Sequence, residues 1–205
     1  PLAILLSSWM ESKDQEKLVN NDRLEQLNEI MNSLSPELIA DQPVLYYISG
    51  LTAFFHGNTE QATRDFTQYL QQNPNDPQAV VLLARTYLMT QQNRQALTLL
   101  EKHEDKLLEN VDSALLLGDL YLKQNRALKA QKLSDALSER YPEDSRVSLF
   151  RIRLMAIRGK TDEALGILDQ NYDKNQDNIT FLFTYSMMKL QAGYETDAVK
   201  AANAI

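Results

Sequence analysis

The sequence predicts an all-α fold in which repeated helical hairpins stack into a solenoid. Alanine recurs with a period of about 34 residues through most of the chain, and a period of this length is typical of stacked helical hairpins. Most of the 6 glycines and 6 prolines fall at boundaries set by the same period. No stretch alternates strictly between apolar and polar residues, as a half-buried strand would. The recurring alanines are Ala62, Ala96, Ala130, Ala164 and Ala198, and the separation of each from the next is called the repeat period below.

Other landmarks keep fixed distances from these alanines. Pro74 and Pro142 follow their alanines at one common distance, and Gly50 and Gly118 precede the same two alanines by that distance. With this joint spacing the chain resembles the tetratricopeptide repeat family. The motif of that family places small residues where the two helices of a hairpin cross and large residues on either side. The matching residues are Tyr46, Gly50, Ala62, Phe66 and Pro74; Leu83, Ala84, Tyr87, Ala96 and Leu100; Leu117, Gly118, Tyr121, Ala130 and Pro142; and Ser186, Ala198 and Ala202.

The resemblance covers about four fifths of the chain and implies a right-handed α-α superhelix. It divides residues 43–205 into about five units, each one repeat period long except the last, which is incomplete. Residues 1–42 are left as an N-terminal capping helix pair or a degenerate repeat. The unit 145–178 fits poorly, because Arg151 stands where a buried apolar residue belongs. We expect its guanidinium to reach solvent or an acidic partner, since a long side chain can bury its stem alone.

The apolar periodicity predicts the helices in order. Two helices precede the array, at residues 2–18 and 22–34. The array then pairs helices 43–56 with 59–72, 77–90 with 93–108, 111–124 with 127–140, 145–158 with 161–173, and 179–192 with 195–205. Asn and Gly tolerate the left-handed conformation of tight turns. The turns are predicted at Gly57-Asn58, Gln92-Asn93, Asn125, Gly159-Lys160 and Gly193.

Both ends of the chain leave alternatives open. The stretch Leu2–Trp9 places its apolar residues on one helical face, which suits a capping pair that closes the stack. The same stretch suits the tail of a membrane anchor, or a segment that docks into an apolar groove. At the other end we expect Val199, Ala202 and Ile205 to be exposed, so that the natural chain continues or a partner covers this end.

The composition excludes several classes of function. The net charge of −7 comes without a basic stripe that could neutralise phosphates, so we expect no nucleic-acid partner. No apolar run approaches the ~18 residues of a membrane helix, so we expect a soluble segment without a direct span. The lack of cysteine excludes disulfides and thiolate metal sites. Because the chain begins with Pro1, an upstream signal or anchor stays open, and bacterial cytoplasm and periplasm both fit.

No catalytic or metal-binding constellation stands out in the sequence. His56 and His103 fall in different units and lack the spacing of a metal motif. No nucleophile motif or glycine-rich phosphate loop is present. Carboxylates such as Glu101 and Glu104 fall at helical spacing on solvated faces. We therefore predict a protein that is not an enzyme and needs no cofactor or metal.

The remaining candidate for a functional site is a surface that could bind a partner. In the tetratricopeptide repeat family the first helices of the units line a concave groove, and the resemblance assigns its residues here. This groove is expected to be largely apolar, with Arg85, Asp119 and Arg153 as isolated charges. A concave apolar surface usually marks an interaction site, although single side chains can instead pack against neighbouring units. The predicted partner-binding residues are Tyr47, Leu51, Phe54, Phe55, Val81, Arg85, Leu88, Met89, Leu115, Asp119, Leu122, Leu149, Arg153, Ile157, Phe183 and Met187.

These residues indicate which kind of partner to expect. Chaperone-binding members of the family clamp an acidic tail with Lys, Asn and Arg, but the corresponding residues here are Tyr47, Leu51, Leu82, Asp112 and Leu116. We therefore predict a non-catalytic scaffold that binds a peptide or helix of a partner protein, within a larger assembly such as a bacterial envelope or secretion apparatus. The alternative is a structural segment of a longer chain that serves self-association and forms homo-oligomers.

The first two units are predicted to form the most apolar part of the groove. We expect an apolar segment to lie there, either a partner's helix or the stretch Leu2–Trp9, in cis or from a second copy. The double change Tyr47→Ala with Phe54→Ala is then expected to abolish that contact and to leave the fold largely intact.

Overall fold

The computed structural model describes residues 21–35, 38–39 and 42–205. These residues form α-helices and contain no strand, so the predicted all-α fold is confirmed. The helices are α1 (Asn21–Ser33), α2 (Pro43–Phe55), α3 (Thr59–Gln72), α4 (Pro77–Met89), α5 (Asn93–Lys102), α6 (Glu104–Leu107), α7 (Val111–Lys123), α8 (Ala127–Arg140), α9 (Ser145–Ile157), α10 (Thr161–Asn171), α11 (Ile179–Gln191) and α12 (Glu195–Ala202). A 3₁₀ turn at Tyr172–Lys174 follows α10.

Every predicted hairpin helix from residue 43 onward begins at the residue that the sequence indicates. The prediction of one continuous helix over 93–108 is wrong, because the helix breaks at His103 into α5 and α6. The predicted helix 2–18 lies outside the described residues, as does the apolar stretch within it. The chain divides into two compact units, which are larger than the repeats and are called the first unit and the second unit below. The first unit ends at Leu100 and the second begins at Glu101.

A ladder of capping side chains fixes where the first helices of the hairpins begin. Asp76, Asn110, Asp144 and Asn178 follow one another at intervals of one repeat period. Each side chain accepts a hydrogen bond from a backbone N–H in the first turn of the helix that follows it. A cap of this type stabilises a helix by about 1 kcal/mol. This ladder was not predicted, although Asp or Asn before an apolar helical run is the usual signal of a helix start.

A further ladder forms the turns within the hairpins. Gly57, Gln91, Asn125, Gly159 and Gly193 are each one repeat period apart, and their φ angles lie between 56° and 85°. The left-handed conformation leads the chain out of the first helix of each hairpin. The turn prediction is confirmed at four of these positions and is one residue off in the second hairpin, where Gln91 rather than Gln92 adopts positive φ.

The alanine ladder lies in the core, with none of the five alanines more than 3% exposed. Two of the glycines allow an aromatic ring to approach the helix backbone closely. A Cβ atom on Gly118 would lie 2.6 Å from Cζ of Phe150, and one on Gly50 would lie 2.9 Å from Cδ1 of Phe66. The small residues of the motif therefore make room for rings from neighbouring helices.

The poorly matching unit 145–178 packs through a shifted set of residues. In α9 the buried residues include Val147, Phe150 and Leu154, which lie on one helical face. Phe150 thus packs in the core in place of Arg151, the position that the motif reserves for a buried apolar residue. Arg151 is exposed, so the prediction that its guanidinium reaches solvent is confirmed.

Each unit has its own core. In the first unit α1 packs on α2, α2 on α3, and α3 on α4, and in the second α7 packs on α8, α8 on α9, α9 on α10, and α11 on α12. First helices of successive hairpins also touch: α2 contacts α4, α7 contacts α9, and α9 contacts α11. At the end of the second unit Val199, Ala202 and Ile205 are exposed, as the sequence predicts.

Candidate partner-binding surface

The predicted surface residues of the first unit lie on α2 and α4, and two of them are buried. Tyr47 is 7% exposed and Leu51 is 6% exposed. The ring centroid of Tyr47 lies 6.0 Å from that of Phe66 and 5.1 Å from that of Tyr69, both on α3. The expectation that Tyr47 and Leu51 stand exposed in a groove is therefore wrong, because α3 supplies aromatic rings that cover Tyr47 inside the hairpin core.

The exposed apolar residues of the first unit lie at the last turns of α2 and α4. Phe55 is 44% exposed and Met89 is 52% exposed, and the two are one repeat period apart in helices that contact each other. The ring of Phe54 meets that of Phe55 nearly at right angles, with centroids 5.5 Å apart. Phe54, Val81 and Leu88 are half-buried. The apolar residues at the last turns of these two helices are called the α2–α4 strip below: Phe54, Phe55, Leu88 and Met89.

At neutral pH, one residue of the predicted set in the first unit carries a charge. Arg85 is exposed and makes no ion pair with any residue that the structure describes. The phenols nearby stay protonated. Burial raises the pKa of Tyr47, and burial together with a 2.7 Å hydrogen bond donated to Asp76 raises the pKa of Tyr69 to about 12. The four residues of the α2–α4 strip are thus uncharged. The guanidinium of Arg85 lies on α4, one of the two helices that carry the strip.

In the second unit the predicted charges are paired. Nη2 of Arg153 lies 2.9 Å from Oδ1 of Asp119, so the expectation that these two residues are isolated charges is wrong. The two groups form an ion pair, but Oδ1 of Asp119 accepts no hydrogen bond from any residue that the structure describes. Nη1 of Arg146 similarly contacts Oδ1 of Asp112 at 2.7 Å. Both pairs join α7 to α9 across one repeat period, and such solvent-exposed pairs contribute little to stability.

The apolar residues predicted on α7 and α9 are mostly covered. Leu122 and Leu149 are buried, which corrects their assignment to an exposed groove. Leu115 is half-buried, while Ile157 at the end of α9 is exposed. Leu149 belongs to a core cluster with residues of α10 and α11, among them Leu168 and Phe181, and this packing accounts for its burial.

The last first helix, α11, differs from the others. Its predicted residues Phe183 and Met187 are both exposed. Ile179 and Leu190 lie on the same helical face and are exposed as well. The groove positions of the family include Leu190 but not Ile179. The sequence signal of Ile179 is that α11 carries large apolar residues on two opposite helical faces, whereas an ordinary surface helix carries them on one.

The histidines have structural surroundings. Nδ1 of His56 lies 2.7 Å from the carbonyl oxygen of Thr52. His103 is buried at the break between α5 and α6, where burial and the adjacent Lys102 lower its pKa. Within the part of the chain that the structure describes, no group of three or more His, Cys, Asp or Glu side chains could hold a metal ion. None of the described helices is long and apolar enough to cross a bilayer.

Comparison with known sequences finds one kind of repeat. Two family models match the chain, over residues 54–107 and 115–178, and both are described as tetratricopeptide repeat. No curated protein sequence matches.

Solved structures with the same fold include two forms of MamA. A crystal structure of MamA protein is 15% identical with a TM-score of 0.60, and the alignment covers 79% of this chain and 88% of that one. MamA from residue 41 to its end, from Desulfovibrio magneticus RS-1, is 16% identical with a TM-score of 0.59, covering 79% and 90%. A thermophilic TPR protein from Thermus thermophilus is 22% identical with a TM-score of 0.60, covering 76% and 86%. At these identities the likeness concerns the fold.

Proposed function

Because the chain belongs to the tetratricopeptide repeat family, we propose that it is a non-catalytic scaffold that holds a peptide or helix of a partner protein on the first helices of its hairpins. The family supports a protein-interaction scaffold as the class of function. The finer assignment, a segment bound on the α2–α4 strip, rests on the side chains of that strip, because a fold alone does not specify a ligand.

One observation supports the α2–α4 strip most. Phe55 and Met89 are large and apolar, yet each keeps about half of its surface exposed. They occupy equivalent places in two helices that touch, so their side chains extend one surface. Aromatic and Met side chains are enriched at interface cores, and a few such residues usually carry most of the binding energy.

The same residues define the chemistry of the partner. Phe55 and Met89 select an apolar face, as an amphipathic helix or an extended segment with large apolar residues provides. Arg85 is exposed on α4 and favours a partner with a carboxylate beside its apolar face. Such a rim charge sets orientation and association rate more than affinity.

We place this scaffold in a larger assembly such as a bacterial envelope or secretion apparatus, because repeat arrays of this family are common there. Size fractionation of a native extract tests this setting. Migration of the chain with a complex much larger than a single free copy supports it, and migration as a single free species contradicts it.

Site-specific photo-crosslinking tests the proposed strip. A benzophenone amino acid placed at residue 55 or 89 is expected to capture one partner protein in the native extract. The matched control position is Leu128 on α8, which is a large apolar residue with 80% exposure outside the strip. Equal crosslinking from residue 128 would remove the strip from the mechanism.

A second step uses the partner identified in this way. The double change Phe55→Asp with Met89→Asp is expected to reduce binding of that partner at least about tenfold, because each removes an apolar contact and adds a charge. Leu128→Asp is the control and is expected to leave binding unchanged. Circular dichroism of all three proteins verifies that the helices are retained.

A further inference from the structure

The hairpin of α7 and α8 lacks a large side chain of its own at the crossing of its two helices. In the hairpin of α2 and α3, Phe66 fills this place, and a Cβ atom on Gly50 would lie 2.9 Å from Cδ1 of its ring. Gly118 lies two repeat periods after Gly50, and Ser134 lies two repeat periods after Phe66. Serine is much smaller than phenylalanine, so α8 leaves space beside Gly118 that another residue must fill in a close-packed interior.

The ring that fills this space comes from the next hairpin. Phe150 of α9 is 2% exposed, and a Cβ atom on Gly118 would lie 2.6 Å from its Cζ and 2.8 Å from its Cε2. These atoms lie at the far end of the ring, so the side chain reaches α7 with its tip. The same Cβ atom would lie 3.2 Å from Cδ2 of Leu133 on α8. The ring of Phe150 is therefore placed at the crossing of α7 and α8.

The exchange of large and small side chains involves two positions. Leu82 precedes Phe150 by two repeat periods, is half-buried and packs against the core cluster that contains Phe66. The two equivalent pairs are thus Phe66 with Leu82, and Ser134 with Phe150. In the first pair the ring belongs to the second helix of the same hairpin. In the second pair it belongs to the first helix of the hairpin that follows.

Ser134 contributes through its small size. It is fully buried, and its Oγ makes no hydrogen bond with any residue that the structure describes. A buried hydroxyl without a partner costs free energy, so a polar contact does not account for serine at this position. A small side chain here leaves the space that the ring of Phe150 occupies.

From these observations we infer that α9 completes the core of the α7–α8 hairpin, so that the hairpins α7–α8 and α9–α10 open and close as one cooperative unit. The stability of a stacked array is approximately a sum of terms within each hairpin and terms between neighbours. The ring at the crossing belongs to the first kind of term in α2–α3 and to the second kind in α7–α8. This coupling lies within the second unit and does not depend on the α2–α4 strip.

Hydrogen exchange of the full chain tests the coupling. Phe150→Leu introduces the residue found at position 82 and removes the ring from the crossing. It is expected to speed amide exchange in α7 and α8 roughly tenfold, although the substitution is on α9. Phe66→Leu is the matched control in the first unit and is expected to leave exchange in α7 and α8 unchanged. Unchanged exchange in α7 and α8 of the Phe150→Leu protein would overturn the inference.

An exchange of side chains separates this coupling from a general loss of core packing. Phe150→Leu alone leaves a cavity, and Ser134→Phe alone places two rings in one space, so each is expected to lower the Tm. The double variant restores the pair found as Phe66 and Leu82, and it is expected to melt above both single variants. Circular dichroism verifies the helicity of each protein.

The control for this exchange combines Ser134→Phe with Phe181→Leu. Phe181 is a buried ring of α11, in a core cluster of the second unit that contains neither Phe150 nor Ser134. This combination is expected to melt below both of its single variants, because the two losses add. If the Ser134→Phe, Phe150→Leu protein also melted below either of its single variants, the ring of Phe150 would not replace a missing ring of α8, and the inference would be wrong.

Discussion

Nζ of Lys189 lies 2.8 Å from Oδ1 of Asp169, and this contact joins α11 to α10 through a lysine side chain that is only 7% exposed. Tyr185 donates a 2.8 Å hydrogen bond to the same carboxylate, and the ring of Tyr194 lies 4.9 Å from the ammonium. Burial alone would lower the pKa of Lys189, but the hydrogen bond to Asp169 and the surrounding negative groups raise it. Lys189 therefore stays charged inside the hairpin.

Replacing this lysine is the first prediction. Lys189→Met keeps the apolar stem and removes the charge, so Asp169 and Asp197 lose their shared partner. Hydrogen bonds to a charged group contribute roughly 1.5–3 kcal/mol, and the partial exposure of Asp169 places the expected loss of unfolding free energy at about 1–2 kcal/mol. Urea denaturation measures it. The control is Lys160→Met, which breaks an exposed ion pair with Glu163 and is expected to change stability by less than about 0.5 kcal/mol.

Lys189 also illustrates where the sequence is informative and where it is not. Helix starts, left-handed turns and buried alanines recur in every repeat period, because each depends on one residue type and its immediate neighbours. Lys189 lies two repeat periods after Tyr121, at a position where the motif has an aromatic residue. The charge of Lys189 is tolerated there because Asp169 and Asp197, on two other helices, contact it. A contact between residues on different helices is absent from any local pattern.

The candidate surface was predictable only in part for the same reason. The resemblance identifies the first-helix residues, but their exposure depends on which helix packs next. Tyr47 is covered by rings from α3, and Leu122 and Leu149 are buried in the core. Phe55, Met89, Phe183 and Met187 remain exposed as predicted. Whether these residues bind a partner stays a prediction.

The second prediction concerns pH. The carboxyl group of Asp65 is buried and accepts a 2.6 Å hydrogen bond from Oγ of Ser49. Burial raises the pKa of Asp65 above its ordinary value of 3.8, and the bonds from Ser49 and Gln61 and the charge of Arg64 offset this only in part. The folded state therefore holds the proton more tightly than the unfolded state. Stability from this group is present below the unfolded pKa and falls as pH rises through the folded one.

Comparison with Asp65→Asn isolates this effect, because asparagine can still accept the hydrogen bond from Ser49 and does not titrate. The unfolding free energy of the wild-type protein relative to the variant is expected to decrease as pH rises from about 3.8. Urea denaturation of both proteins at several pH values measures the difference. A difference that grows in favour of the wild type with rising pH would contradict the burial of this carboxyl group.

The third prediction concerns the left-handed turns. Gln91 adopts φ of 60°, where the equivalent residue in three other hairpins is glycine. A side chain in this conformation costs roughly 1–2 kcal/mol, and glycine loses part of that advantage through its greater freedom in the unfolded state. Gln91→Gly is therefore expected to stabilise the protein by about 0.5–1 kcal/mol, which urea denaturation measures. At the equivalent turn of another hairpin, Gly159→Ala is expected to destabilise the protein through its backbone conformation alone, because no atom that the structure describes lies within 4 Å of the new Cβ atom.

The fourth prediction concerns the alanine ladder. Ala130 is fully buried, so Ala130→Leu forces three additional heavy atoms into the crossing of α7 and α8. Overpacking of this kind costs about 1–3 kcal/mol, which thermal denaturation detects as a lower Tm. Lys132→Leu places the same side chain at an exposed position of α8 and is the matched control. Equal melting temperatures for the two variants would show that this helix pair does not depend on a small residue.

The last prediction separates packing from binding on α2. Because Tyr47 is buried against Phe66 and Tyr69, Tyr47→Ala is expected to cost about 3–5 kcal/mol and to reduce helicity, and a double variant that includes it cannot report on binding alone. Tyr47→Phe keeps the ring and is expected to retain most of the stability. Phe55→Ala removes an exposed ring and is expected to change stability by less than about 1 kcal/mol while it weakens partner capture. Full capture by folded Phe55→Ala protein would show that the α2–α4 strip is not the binding surface, and a large loss of stability in this variant would show that Phe55 belongs to the core.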